Sequence, residues 1–459
     1  MGLPGLRTLD RRDAIGWGDL MSPRVHLDEA RTSAINTMRE IVRDGIERAV
    51  IIDDLFGRVR VILWPSSTGN AEELRATIDT KLRDACAQYW TGDLWIANAA
   101  TSPEDRLFYD KAWEEGFTVP SSGYALRLND RHRSRTAWFL PVEKSRPAWP
   151  LTQGPPIIVF HSFKGGVGRT TALTAHAIAH ARRGERIVVI DFDMDAPGVG
   201  TLLDVDGDGT TARWGVVDFL LEARDNLPLT DYHHTCAREA ITGGGAVEVF
   251  PAGTLDNDYL TKLARIDLEV SSTLERHPLL QLLQRVRAER QPAMILIDGR
   301  AGLSPAAGLL LSGFAHLHVL FATTNRQSLL GLERVVQHLG FEQARRDLPQ
   351  AECVVVQAMV PDNTEVGKVA EAAFAEQVEA IFRDCYYAMK ADEEDRVWSL
   401  DDLSSSIAPH IPVPISYRGK LAFFHSINQV VDVLTADPDY VKLSERLDQR
   451  LAPARAKDS

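Results

Sequence analysis

His161-Ser162-Phe163-Lys164-Gly165-Gly166-Val167-Gly168-Arg169-Thr170-Thr171 follows an apolar β-branched run, Ile157 to Phe160, and leads into an Ala-rich segment that reaches Arg183 and stops at Gly184. A strand, a glycine-rich turn and a helix in that order make a phosphate-binding arrangement. Glycines let backbone N–H groups close around phosphate oxygens, and the helix that follows presents its positive N-terminal end to the same anion. Against the general pattern GxxxxGK[ST], Phe163 stands at the first Gly and Arg169 replaces the lysine.

Outward from this segment the chain alternates short apolar runs with longer helical stretches. The runs are Ile157 to Phe160, Ile187 to Ile190, Met294 to Ile297, His318 to Ala322, Cys353 to Met359 and Ile411 to Ile415. Strands without polar alternation are buried on both faces, which predicts an α/β fold with a doubly wound, mostly parallel sheet. Ligands of such sheets bind beyond the carboxyl ends of the strands, so the residues after each run are where chemistry is expected.

Those residues carry a resemblance. Lys164 to Thr171 is similar to the KGGxxK[ST] loop of the MinD/ParA group of deviant Walker A P-loop ATPases, including the signature lysine at its start, here Lys164. Asp191-Phe192-Asp193-Met194-Asp195-Ala196-Pro197-Gly198 is similar to that group's DxD switch I segment, and Asp298-Gly299-Arg300-Ala301-Gly302 to its DxxAG segment. Val249-Phe250-Pro251-Ala252-Gly253 resembles its strand-PAG element, and arginine at position 169 resembles a KGGVGR-motif variant subgroup. The likeness spans residues 155–435.

The resemblance implies a role for each position. Lys164, Gly165, Gly166, Val167, Gly168, Arg169, Thr170 and Thr171 would bind nucleotide, with Gln357 near the base at the end of the fifth run. Mg²⁺, which takes oxygen ligands in octahedral geometry, would be held by Thr170, Asp191 and Asp298. Asp193 would orient the attacking water, and Lys164 would reach phosphates bound by a partner subunit. ATP and Mg²⁺ are therefore the expected cofactors, and an ATP-dependent homodimer the expected assembly. Asp195 and Arg300 fit either the site or its rim.

The remainder of the chain sets limits. Residues 1–150 read as a smaller N-terminal α/β sensor or adaptor domain, with helices at Ala30 to Arg43 and Glu72 to Tyr89, a hairpin around Asp54 to Gly57, and a strand at Leu94 to Ala97. Four prolines between Glu143 and Pro156 mark the boundary, and residues 436–459 form an amphipathic C-terminal helix and tail. The tail mixes charge signs and has no large aromatic anchor after Tyr440, so packing against the domain is expected rather than a membrane contact. Asp204 to Gly209 imitates half an EF-hand loop, but Gly215 stands where the bidentate Glu is required.

Among 459 residues, Lys and Arg number 51 and Asp and Glu 64, and the net charge of -13 opposes attraction to nucleic-acid phosphates. Cys86, Cys236, Cys353 and Cys385 are isolated from one another, which argues against a zinc or iron–sulfur site built on cysteine, and a reduced, cytoplasmic setting is expected. No apolar run reaches the length of a membrane span. Among the outputs that the resemblance implies, these features leave a slowly hydrolysing dimeric ATP switch that regulates an unidentified protein partner, and the resemblance ties the arginine-variant subgroup to bacterial signalling or defence. The alternatives are a nucleotide-binding regulator without significant hydrolysis and an ATPase that partitions DNA or other cargo.

Overall fold

The computed structural model describes residues 25–42, 46–66, 71–98, 101–119, 125–131, 138, 148–223, 227–268, 277–312, 315–340, 350–362, 365–388 and 398–455. The chain divides into two compact units, Met1–Ser134 and Arg135–Ser459. Of the proline-rich stretch, residues 143–147 lie outside the described residues, and Trp149 is buried in the core of the second unit, where its Nε1 donates to the Pro155 carbonyl.

The first unit is a five-stranded sheet of β1 (Ile46–Asp53), β2 (Val59–Pro65), β3 (Trp90–Ile96), β4 (Phe117–Thr118) and β5 (Leu126–Asp130), in the order β3-β2-β1-β5-β4. β1 and β2 pair antiparallel, and the turn between them is closed by Asp54, whose carboxylate accepts the Phe56 and Arg58 amides. Alternate residues of β1 face opposite cores. Ala49 and Ile51 pack in a core with helices Leu27–Ile41 and Ala71–Cys86, whereas Val50 and Ile52 pack with Tyr109 and Ala112 of helix Pro103–Glu114.

The second unit is built on eight strands: β6 (Ile157–Ser162), β7 (Arg186–Phe192), β8 (His234–Cys236), β9 (Ala246–Phe250), β10 (Met294–Gly299), β11 (Leu317–Ala322), β12 (Cys353–Val360) and β13 (Val413–Ser416). Their order is β13-β12-β11-β6-β10-β7-β9-β8, and every pair is parallel except β8 with β9 at one edge. Ile158 and Phe160 face one core while Ile157 and Val159 face another, so burial on both faces explains the absence of polar alternation. The chain leaves β6 through helix Arg169–Ala181, passes over β10 and enters β7, while β11 lies on the other side of β6. The crevice at the carboxyl end of β6 is thus the point where the winding reverses. This is the mostly parallel α/β sheet of a P-loop NTPase, preceded by a small α/β unit.

The C-terminal helix Pro438–Arg455 buries Tyr440, Leu443, Leu447 and Leu451 in the second unit's core and leaves Val441 on the exposed side. No helix among the described residues is long and apolar enough to cross a membrane. In the loop from Asp204 to Gly209 the Asp204 carboxylate accepts the Gly209 amide and Arg238 Nη2, at 2.6 and 2.7 Å.

Candidate nucleotide-binding site

The turn after β6 owes its path to glycine. Gly166 and Gly168 have φ of +72° and +83°, in the left-handed region that side chains with a Cβ rarely occupy. A Cβ placed on either would meet no described atom within 4 Å, so the loop opens onto free space. Such a cradle fits a phosphate. It forms one wall of a cavity of about 310 Å³, shared with Thr170, Thr171, Met359, Tyr417 and Arg418.

Behind the loop, parallel register brings the acids together. Asp298 of β10 is level with Asp191 of β7 and with Phe160 of β6, so two carboxylates stand side by side at the strand ends. Both are buried. Burial, and then the neighbouring Asp298, pushes Asp191 up to about 8 although the backbone amides of Gly198 and Asp193 oppose the shift; three amides in all donate to its carboxylate. Those amides are Asp193 N on Oδ1, and Gly198 N and Val199 N on Oδ2, at 3.0 to 3.2 Å. Asp191 therefore shapes the segment that carries Asp193, and both of its oxygens are engaged.

Arg169 supplies the cation between the other two acids. Its Nε is 2.6 Å from Asp298 Oδ1, its Nη2 is 2.8 Å from Asp193 Oδ2, and its Nη1 is 3.3 Å from Ser162 Oγ. The guanidinium is buried, and although burial works against its charge, Asp298 and Asp193 outweigh that and raise its pKa. Thr170 Oγ1 donates to Asp298 Oδ2 at 2.5 Å. Asp298 is itself raised by burial, against the pull of Arg169 and Thr170. A short planar fork reaching two carboxylates is geometry that a lysine ammonium lacks.

The oxygen donors suit Mg²⁺: a hydroxyl at the helix start faces a carboxylate at a strand end, with Asp193 on the far side of the same guanidinium. The residues therefore fit both a phosphate group and its metal ion, provided that the Arg169 fork moves off Asp298.

Lys164 is half-buried and forms no ion pair with any described residue. Asp195 pairs with Arg300 at 2.5 Å, which links the segments after β7 and β10. Gln357 lies outside the cavity lining. Its side chain is buried and its Nε2 donates to the Ala370 carbonyl at 3.1 Å; the β12–β13 register shifts only after it, between Gln357 and Val360. Met359 sits in that irregularity with φ of +61° and reaches the cavity instead.

His161 is buried beside the loop and pushed down to about 3 by burial and then by Arg169. Its isolated imidazole in an apolar strand gave no signal of that placement.

Residues 158–365 match the family described as the CobQ/CobB/MinD/ParA nucleotide binding domain. The match spans 208 residues of the second unit, less than half of the chain. Among solved structures, the chain is similar to the septum site-determining protein MinD complexed with Mg-ADP from Pyrococcus horikoshii OT3, at 17% identity over 65% of this chain and 98% of that chain, with a TM-score of 0.42. It is also similar to MinD of Aquifex aeolicus, at 16% identity over 64% and 97% of the two chains (TM-score 0.40). A third similar structure is pNOB8 ParA bound to nonspecific DNA, at 15% identity over 66% and 100% (TM-score 0.40). No curated protein matches the chain at a significant level.

Proposed function

We propose that the chain is an ATP-binding switch of the MinD/ParA type with an arginine-variant loop, and that Arg169 gives it two states. The observation that carries this reading is the double ion pair of Arg169 with Asp193 and Asp298 beneath an open glycine cradle. The cradle amides of Gly165 to Gly168 would take phosphate oxygens, while Thr170 and Asp298 would hold Mg²⁺. That ion, when bound, neutralises charge on the phosphates. For this to happen the fork of Arg169 turns from the two acids towards the phosphates, and Asp193, released, is free to orient water. Asp191 keeps its backbone bonds and carries the Asp193 segment as a unit.

Lys164, unpaired among the described residues at the loop mouth, supports a cross-subunit role in an ATP-dependent homodimer. Hydrolysis would be slow, because the same two carboxylates that chemistry needs are tied to a guanidinium in the resting state. A regulator that binds nucleotide without significant turnover is favoured by that same tie, and the two readings divide on a measured rate. The first unit would act as sensor or adaptor; its small cavity, lined by Arg60, Arg131, Trp95 and Phe108, supports a ligand or partner contact there. The net charge of -13 weighs against cargo partitioning on DNA.

Titration calorimetry with ATP and Mg²⁺, combined with light scattering on the eluting protein, tests this reading. Saturable ATP binding that shifts the chain to a dimer is expected. No binding at millimolar nucleotide would overturn it, and binding without a dimer would remove the Lys164 assignment.

A further inference from the structure

The helix that leaves the glycine loop carries a second cluster of chemistry on its far end. His176 and His180 are four residues apart on helix Arg169–Ala181, one turn along the same face, with ring centroids 4.6 Å apart. Facing them, helix Pro438–Arg455 presents Ser444 and Asp448, also one turn apart. His176 Nδ1 is 2.7 Å from Ser444 Oγ, and His180 Nε2 is 2.9 Å from Asp448 Oδ1. One donor atom from each of His176, His180 and Asp448 falls within 4.8 Å of the other two.

Two features of this cluster call for a cation. His180 has a carboxylate on each ring nitrogen, Glu185 Oε2 at 2.8 Å from Nδ1 and Asp448 on Nε2. A neutral imidazole carries one N–H, so the second contact needs another proton or a metal ion. His176 is fully buried, and its Nε2 has no hydrogen-bond partner among the described residues. An orphaned ring nitrogen in a dry interior costs desolvation unless something uses its lone pair.

We propose that His176, His180 and Asp448 bind a divalent transition metal of the Zn²⁺ class and thereby clip the C-terminal helix to the helix that begins at the glycine loop. Zinc accepts imidazole nitrogen and carboxylate oxygen at about 2.0 to 2.2 Å, which sets tetrahedral ligands about 3.3 to 3.6 Å apart. The His180–Asp448 contact opens slightly to meet this, and His176 closes. Glu185 on Nδ1 fixes the tautomer that leaves Nε2 for the metal, the arrangement by which outer carboxylates orient ligating histidines.

Arg183 is the competing cation, with Nη1 3.0 Å from Asp448 Oδ2 and 3.4 Å from His180 Nε2. It is half-exposed, so it can keep Oδ2 and swing away from the ring. A cavity of about 450 Å³ bordered by His180, Arg183, Glu185 and Asp448 opens beside the cluster and offers a path for entry and a water for the fourth position.

The test uses the full chain, stripped with chelator and free of nucleotide, titrated with Co²⁺ and then Zn²⁺. One equivalent of Co²⁺ should develop the strong visible absorption of a four-coordinate site, Zn²⁺ should displace it, and either metal should raise the melting temperature. Asp448→Asn and His180→Gln should each abolish the band, and Glu185→Gln should weaken affinity about 10- to 100-fold. Absence of binding at millimolar Co²⁺ would mean that a proton bridges His180 and Asp448, and overturns the proposal. So does a weak, six-coordinate spectrum that both variants retain. Should a variant not fold, X-ray absorption of the Zn²⁺-loaded wild-type chain decides: two imidazoles in the first shell support the site, and fewer overturn it.

Discussion

Arg300 Nη1 lies 2.5 Å from Asp195 Oδ2, so the segments that follow β7 and β10 are joined to each other. Both side chains are about two-fifths exposed. Exposed pairs contribute less than about 1 kcal/mol, so Arg300→Ala should leave the denaturation midpoint nearly unchanged. Any large change in ATP affinity or turnover in that variant then reports on the site and not on the fold. A drop in stability above about 2 kcal/mol would show that the pair has a structural role instead.

Arg169→Ala would leave Asp193 and Asp298 buried beside Asp191 without a counter-charge. Breaking a buried pair by removing one partner typically costs about 3 to 5 kcal/mol, and that range is expected here by chemical denaturation. Mg²⁺ should stabilise the variant more than it stabilises the wild type, since the vacated acids become available to it. Arg169→Lys should recover part of the stability but reach only one of the two acids. Equal Mg²⁺ responses in the variant and the wild type would show that the ion does not use Asp298.

His316 predicts a loss of stability on acidification. Its Nδ1 accepts the Ile157 amide at 2.9 Å and its Nε2 donates to the Trp149 carbonyl at 2.8 Å, so the ring is neutral and both nitrogens are in use. Burial pushes it down to about 4 from 6.5. A depressed histidine favours folding above its unfolded pKa, and that contribution fades as pH falls from about 6.5 towards 4. Between pH 7 and 5 this residue alone should cost about 2 kcal/mol, with His277, also pushed down to about 4 by burial, adding in the same direction. Urea melts at both pH values check it, and His316→Gln should reduce the slope.

Met359 couples strain to the cavity. A non-glycine residue at φ of +61° stores about 1 kcal/mol, and Asn tolerates that conformation better than Met. Met359→Asn should therefore hold or raise the melting temperature while weakening nucleotide binding through loss of apolar lining. Unchanged affinity would place the base elsewhere.

The sheet was legible because a strand covered on both faces must be apolar at every position, as Ile187 to Ile190 and Ile295 to Ile297 are. The glycine loop and the acids were legible because they sit where such strands end. The direction of Arg169 was not: sequence places its Cα at the helix start, but only the level pairing of Asp298 with Asp191, whose carboxylate holds the Asp193 amide, brings Asp193 and Asp298 within reach of one fork. Gln357 illustrates a second limit. The irregularity at the end of β12 decides which side chain meets the cavity, and no residue type announces it. His176 and His180 read as two positions of an Ala-rich helix, since the residues facing them come 268 positions later.

The fork of Arg169 also bears on how the chain behaves when neither nucleotide nor divalent ion is at hand. Proteins that gather carboxylates for a metal commonly loosen when the metal is withdrawn, because the acids then repel one another across a dry interior. Here the neutralising charge is covalently part of the chain. The empty site should consequently stay rigid under chelator, with hydrogen exchange at the amides of Gly198 and Val199 indifferent to EDTA, and the resting form should persist through swings in free magnesium that would unsettle a site with lysine at position 169.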